Sequence, residues 1–347
     1  MDTFFIEFRD PLFGVIVFFF LLFVLSFLSY WWGRHKTARG HRDLESFLGK
    51  FESLEDENRL RDQVQTNSLP NESWLMLAHS YEMQGNFEKS VEIYHALLSK
   101  NRETTFQKEV LLLLGKNYFK AGFLERSRQS FLQILQNHPR SPQALHYLIL
   151  IYEQLRQYDK ALEVMESLQE ISPDSLHEKL YLECRLLLGD HTVGTDEKGE
   201  RLIELYERHR QLGYLVFEWL FANRPALAWS RFDQSLAPRL SDVLWRLRDD
   251  NLDLDIIASN TYLRELFSAK GSVSLAEGSG VFELDVLIAL RRCGIGKATL
   301  QFEYACGECK QISFLPFHRC PHCHAIDTVE VMMNLSRERY EENNSLQ

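Results

Sequence analysis

Two consecutive stretches of the chain carry the same pattern of residue types. Residues 111–139 read LLLLGKNYFKAGFLERSRQSFLQILQNHP, and residues 145–173 read LHYLILIYEQLRQYDKALEVMESLQEISP. Tyr118 of the first stretch is followed 34 residues later by Tyr152 of the second. A fixed period of about 20–50 residues is typical of proteins that stack one repeated supersecondary unit. Because both stretches have helical periodicity, the pattern predicts an α-solenoid.

Small residues recur at fixed places in the repeats, and they predict where helices meet. These positions are Ala78, Ser90, Gly115, Ser127 and Ala161. Gly85 and Gly122 fall at the turn within a helix pair, and Pro139 and Pro173 follow the second helix of a pair, which a proline cannot continue. The pattern resembles the tetratricopeptide repeat (TPR), whose consensus has a small residue and then a tyrosine in the first helix.

The repeats are clearest over residues 71–175 and become irregular towards residue 270. A fourth unit is predicted to begin near Leu176 and to fade after Gly189, while Pro225 and Pro238 mark breaks. Terminal repeats are commonly atypical because they cap the stack. We therefore interpret the irregular part as diverged repeats.

The N-terminal part contains a long uncharged apolar run. Residues 12–32 contain no charged side chain, and about 20 apolar residues are needed to cross a hydrocarbon core. A cleavable signal peptide is the alternative, but it has a shorter apolar core and a basic start, whereas Asp2, Glu7 and Asp10 precede this run. The basic residues after the run are Arg34, Lys36, Arg39 and Arg42. The sequence therefore predicts a transmembrane helix with the C-terminal side in the cytoplasm.

Four of the six cysteines lie close together near the C-terminus. They form the pattern C-x2-C-x10-C-x2-C and are Cys306, Cys309, Cys320 and Cys323. Each pair predicts a tight knuckle, and two knuckles supply four thiolates to one tetrahedral metal ion. With every position filled by protein, the site is expected to be structural. Zinc is predicted, and iron has the same geometry.

Other assignments of this region remain open at the level of sequence. The cysteines could form two disulfides or stay as free thiols, and His318, His322 and His324 are alternative ligands. The residues between the knuckles, Ile312, Phe314, Leu315 and Phe317, are expected to form a short hairpin that covers the metal. A helix over residues 281–293 is expected to dock the module onto the repeats.

The sequence argues against two functional classes. The net charge of −10 argues against a nucleic-acid binder, because phosphate contact needs a basic face. The histidines form no H-E-x-x-H pair, and the chain contains no P-loop or G-x-S-x-G motif, so we predict no enzyme activity. Stacked helix pairs instead offer an extended surface for binding proteins.

The fold class predicted is mostly α, with an N-terminal transmembrane helix, a TPR-type α-solenoid and a small C-terminal zinc-ribbon or rubredoxin-like β module. The predicted segments are a short periplasmic N-terminus (1–11), the transmembrane helix (12–32), a juxtamembrane amphipathic helix (33–66), TPR-like repeats (67–270), a linker and docking helix (271–300), the metal-binding ribbon (301–335) and a polar tail (336–347).

This order of parts, together with Tyr304-x-Cys306-x-x-Cys309 and His318-x-Cys320-Pro321-x-Cys323, resembles the lipopolysaccharide assembly protein B family. The resemblance implies a non-enzymatic regulator of lipopolysaccharide synthesis in the bacterial cell inner membrane. It implies two partners, an inner-membrane AAA protease and the lipid A deacetylase that is degraded. It carries the four metal ligands over to the four cysteines. The chain departs from the family pattern by one additional residue, Arg319, before the third cysteine.

Two further hypotheses use the same parts. In one, the chain is an assembly scaffold for lipopolysaccharide synthesis or transport proteins and does not control proteolysis. In the other, an iron-loaded ribbon acts as a redox protein.

Overall fold

The computed structural model describes residues 60–61, 64–66, 70–172, 175–296 and 298–337. The predicted transmembrane helix (12–32), most of the predicted juxtamembrane helix and residues 338–347 of the predicted tail lie outside the described residues.

The predicted single-pass inner-membrane location requires correction. Over the described residues, no helix combines the length and the apolar character needed to cross a bilayer. The longest of these helices, Thr104–Lys120, has 17 residues and includes charged side chains, whereas a span needs about 20 mostly apolar residues.

The described elements are helices followed by a small sheet. The helices are α1 Asn71–Met83, α2 Phe87–Lys100, α3 Thr104–Lys120, α4 Leu124–Asn137, α5 Pro142–Gln154, α6 Tyr158–Gln169, α7 Leu176–Gly189, α8 Thr195–Arg208, α9 Gly213–Asn223, α10 Pro225–Arg231, α11 Ser241–Arg246, α12 Leu254–Ser259, α13 Thr261–Lys270 and α14 Phe282–Arg292. The strands are β1 Ala298–Cys306, β2 Ile312–Ser313 and β3 Val329–Arg337. Short 3-10 helices cover Arg210–Leu212, Gln234–Leu240 and Asp249–Asn251.

The first compact unit extends to Phe123 and contains α1, α2 and α3. Its core is formed by Trp74, Ala78, Ile93, Tyr94, Leu97, Val110, Leu114 and Tyr118, together with Val64 from the segment before α1. The predicted small position Ser90 is fully buried, and its hydroxyl accepts a hydrogen bond of 2.9 Å from the Asn117 amide. Gly85 has φ +77°, a left-handed conformation that glycine adopts without strain, so it makes the tight turn between α1 and α2.

The second unit begins at Leu124 and contains the remaining helices and the sheet. Helix α5 packs against α4 on one side and α6 on the other. Its residues Leu148–Tyr152 are therefore all buried, as expected for a helix that is apolar all round. Ala161, a predicted small position, is fully buried in α6, and Phe131 of α4 stacks on Tyr147 of α5 with ring centroids 5.0 Å apart.

Helices continue beyond the stretch in which the repeats are clearest in the sequence. Helix α8 begins at Thr195 and packs against α7 and α9. Gly199 lies where an added Cβ would come within 2.8 Å of a Leu227 methyl group, so it serves as a small packing position. Beyond α8 the helices become short and enclose a cluster of Phe217, Phe221, Trp229 and Phe232.

The C-terminal module is an antiparallel sheet with strand order β2-β1-β3. Tyr304 pairs with Val331, and Cys306 pairs with Val329. Helix α13 ends just before Gly271, which has a φ of +92°. Helix α14 comes later in the chain and contacts α13, β1 and β3. It lies within residues 281–293, the range of the expected docking helix. A larger set of contacts, described below, also holds the module.

Candidate metal centre

The two C-x-x-C pairs bring four sulfur atoms together. The ligand atoms of Cys306, Cys309, Cys320 and Cys323 all lie within 4.8 Å of one another. The Sγ atoms of Cys306 and Cys323 are 3.6 Å apart, and those of Cys309 and Cys320 are 3.7 Å apart. Four thiolates at about 2.3 Å from one ion in tetrahedral geometry have sulfur–sulfur distances of about 3.8 Å. The geometry therefore fits a metal ion.

The two knuckles have the same backbone turn. The Lys310 N–H donates to the Cys306 carbonyl at 2.9 Å, and the His324 N–H donates to the Cys320 carbonyl at 3.0 Å. Lys310 and His324 follow the second cysteine of each pair and have φ values of +59° and +63°. This left-handed conformation costs a residue with a Cβ about 1–2 kcal/mol. Both residues therefore have backbone strain that a glycine at the same position would not have.

The thiols respond differently to their surroundings. Burial raises the pKa of Cys306, but hydrogen bonds from the Thr328 hydroxyl and from backbone N–H groups outweigh it and lower the pKa to about 6. Burial, together with the neighbouring sulfurs, raises the pKa of Cys323 to about 12. Several adjacent thiolates repel one another unless a cation lies between them, which is the chemistry of a metal-binding donor set.

The alternative ligands lie outside this cluster. Among the described residues that surround the sulfurs, the close group contains only the four cysteines. The His318 imidazole instead lies 3.0 Å from the Glu218 carboxylate. The expectation that Phe314 and Leu315 cover the metal is wrong, because their exposed fractions are 80% and 74%.

Arg319 joins the second knuckle to the repeat helices. Its Nε donates to Glu153 of α5 at 2.6 Å, and its Nη2 lies 2.9 Å from Glu178 of α7. Its Nη1 donates to the His324 carbonyl, and the guanidinium lies 5.1 Å from the centre of the Tyr181 ring. The Arg319 side chain is only 9% exposed. A buried guanidinium therefore holds two repeat helices and the knuckle together.

Asp327 makes a second connection between the module and the helices. Its carboxylate accepts the Tyr214 N–H at 3.3 Å, and its carbonyl accepts a hydrogen bond from Arg239 at 2.6 Å. Burial raises the pKa of Asp327 to about 6, although the charge of Arg239 opposes this shift. The module is therefore also held at the start of α9.

Tyr304 of β1 makes a third connection. The hydroxyls of Tyr304 and Tyr214 each donate to the Asp242 carboxylate at 2.9 Å. Arg246 donates to the Tyr304 hydroxyl at 2.9 Å. Burial raises the pKa of Asp242, while the two tyrosine hydrogen bonds lower it. The side chain of Asp242 is fully buried, so this network replaces the water that the carboxylate loses.

These three connections were not predicted from the sequence. Arg319 and Glu153 are 166 residues apart, and Asp327 and Tyr214 are 113 residues apart. One indication of them was present in the sequence, because the additional residue before Cys320 is Arg319, which makes the first connection.

Comparisons with known proteins agree with the repeats and with the family resemblance. Two tetratricopeptide repeat families match residues 72–104 and residues 112–175. Lipopolysaccharide assembly protein B of Haemophilus influenzae is 26% identical over 133 residues, which is 38% of this chain and 32% of that protein. The protein of the same name from Escherichia coli K12 is 26% identical over 128 residues, which is 36% of this chain and 32% of that protein.

The chain thus aligns with about a third of the length of these curated relatives. Among solved structures, a tetratricopeptide repeat protein from Parabacteroides merdae is 19% identical over 72% of this chain and 95% of its own, with a TM-score of 0.38. A MamA double mutant is 17% identical over 47% of this chain and 90% of its own, with a TM-score of 0.37. TM-scores this low support no conclusion.

Proposed function

We propose that this chain, a tetratricopeptide repeat protein similar in sequence to lipopolysaccharide assembly protein B, is a non-enzymatic adaptor that regulates lipopolysaccharide synthesis. The observation that carries the proposal is the sequence similarity to proteins of that name. The repeats and the cluster of four cysteines in the same chain support it. Helical repeats bind other proteins through extended surfaces and need no reacting group.

The partners we propose are the lipid A deacetylase, as the client, and an AAA-type protease that degrades it. An adaptor that holds both proteins raises the effective concentration of the client at the protease. Small changes in adaptor level then change the lifetime of the deacetylase. In this account the chain contributes two binding surfaces, and the protease does the chemistry.

The metal in this proposal is one zinc ion held by Cys306, Cys309, Cys320 and Cys323. Its role is structural, because the protein supplies all four ligands and leaves no position for a substrate. A module this small gains its folding free energy from metal binding. The chain's own contribution is to present four thiolates and to fix the module on the helices through Arg319 and Asp327.

A second candidate is an assembly scaffold for lipopolysaccharide synthesis or transport proteins. The word "assembly" in the name of both relatives favours it. The scaffold differs from the adaptor in one measurable way, because it leaves the lifetime of the deacetylase unchanged.

Co-purification tests the proposal. The bait would be the full chain, compared with a Cys320→Ser, Cys323→Ser variant and with Cys293→Ser, which changes an exposed cysteine outside the cluster. We expect wild type and Cys293→Ser to retain both the deacetylase and the protease, and the double variant to lose them. If lipopolysaccharide synthesis or transport proteins are retained without the deacetylase and the protease, the scaffold is correct and the adaptor is not.

A further inference from the structure

A cleft of about 540 Å³ lies between the second metal knuckle and the repeat helices of the second unit. Helix α5 contributes His146 and Tyr147, the end of the α6 region contributes Leu168, and α7 contributes His177. The opposite wall is formed by the knuckle, including Ile326. Pockets of about 300–1,000 Å³ between structural modules are common binding sites.

The charged side chains that line the cleft compensate each other. Glu178 supplies the one carboxylate of the lining and Arg319 the one guanidinium, and these two groups are 2.9 Å apart. Burial lowers the pKa of both His146 and His177, so their imidazoles are neutral at pH 7. An ion that entered the cleft would lose water without gaining an unpaired countercharge, which is unfavourable. The lining therefore selects for an uncharged ligand.

The shape and polarity of the lining suit a polypeptide. Tyr147 and Ile326 are half-buried and offer aromatic and apolar surface for large side chains. Gln143 and Ser172 on the rim are exposed and carry amide and hydroxyl groups, which can both donate to and accept from a peptide backbone. Apolar walls with a few polar groups at the edge are typical of sites that bind an extended apolar segment.

We propose that this cleft binds a short, uncharged, apolar segment of a client polypeptide. The inference deepens the proposed function, on which it rests, by placing the client contact at the junction of repeats and knuckle. One wall of the cleft belongs to the module, which Arg319 contacts to α5 and α7 through Glu153 and Glu178.

The test uses synthetic peptides and the full chain. The peptides have equal length and blocked ends: one contains Leu, Phe, Ser and Gly, and the other two have Asp or Lys in place of the serines. Binding is measured by fluorescence anisotropy. Gln143→Trp places a bulky side chain on the cleft rim, and Gln133→Trp makes the same change at an exposed position of α4 that does not line the cleft. Circular dichroism confirms that both variants are folded.

We expect the uncharged peptide to bind most tightly, and Gln143→Trp to weaken its binding about tenfold or more, a loss of about 1.4 kcal/mol. Gln133→Trp should bind like wild type. The inference is overturned if the charged peptides bind as tightly as the uncharged peptide, or if Gln143→Trp does not weaken binding of the uncharged peptide.

A parallel titration with purified lipid A deacetylase separates this inference from the proposed function. If the uncharged peptide behaves as expected but the deacetylase does not bind wild type, the cleft is a peptide site and the proposed client is wrong. If the deacetylase binds wild type and Gln143→Trp equally, the client contact lies elsewhere and the inference fails, while the adaptor proposal stands.

Discussion

Replacing Arg319 by methionine tests how the metal module is held on the helices. Methionine keeps most of the side-chain volume but removes the charge, so Glu153 and Glu178 lose their shared partner. Their side chains are 12% and 14% exposed, and water reaches them poorly. Removing one partner of a buried ion pair costs about 3–5 kcal/mol because the remaining charge is buried without compensation. We expect a loss of stability in this range.

Urea unfolding followed by tryptophan fluorescence measures the effect. With an m-value of about 3 kcal/mol/M, a loss of 3–5 kcal/mol lowers the midpoint by about 1–2 M. Hydrogen exchange adds spatial information, because amides of α5, α7 and the second knuckle should lose protection together. Adding Glu153→Gln and Glu178→Gln to Arg319→Met should restore much of the loss, because no uncompensated charge then remains.

Arg208→Met is the matched control. Arg208 pairs with Glu204 one helical turn away, but both side chains are about 60% exposed. Exposed pairs of this kind contribute about 0.3–0.5 kcal/mol. If Arg319→Met costs no more than Arg208→Met, Arg319 does not fasten the module and the reasoning is refuted.

Three further predictions concern the metal module. Cys320→Ser should lose bound metal and the strand signal of the module while the repeats keep their helicity, as measured by elemental analysis and circular dichroism; unchanged metal content would contradict the ligand assignment. Lys310→Gly should slow metal loss to a chelator and stabilise the module by about 1 kcal/mol, because a φ of +59° strains lysine but not glycine. Faster metal loss from this variant would contradict the strain argument. The pKa of Asp327 is raised from 3.8 to about 6, so the contribution of this carboxyl to stability is complete below pH 3.8 and is lost as the pH rises through 6. Asp327→Asn should therefore reduce the fall in Tm between pH 3.8 and pH 6. An unchanged dependence of Tm on pH in this variant would refute the prediction.

The parts of the fold predictable from the sequence are those encoded by neighbouring residues. The spacing from Tyr118 to Tyr152 indicated the helical pairs, and Gly85 indicated the turn within the first pair, which has the expected positive φ. The two C-x-x-C pairs indicated the sulfur cluster for the same reason, because each knuckle is a local turn.

The connections that hold the metal module could not be predicted in this way. The Arg319–Glu153 and Asp327–Tyr214 contacts join residues more than a hundred positions apart, and no local spacing encodes such a pair. Buried charged residues are also difficult to predict from a sequence, because Arg and Asp usually lie at the surface. Gly199 was missed because its role depends on the approach of Leu227 from a later helix.

The cleft follows from the same long-range contacts. Its walls come from α5, α7 and the knuckle, so it forms only when the module lies against the repeats. If a metal ion orders the knuckle, loss of that ion would remove one wall of the proposed binding site.

The lifetime of the lipid A deacetylase in cells distinguishes the proposed adaptor from the assembly scaffold. It would be followed after synthesis is stopped, in cells with the wild-type chain, without the chain, and with Cys320→Ser. We expect the deacetylase to live longer in cells without the chain, and we expect the wild-type chain but not Cys320→Ser to restore the short lifetime. An equal lifetime in all three would contradict the adaptor and leave the assembly scaffold as the function of the chain.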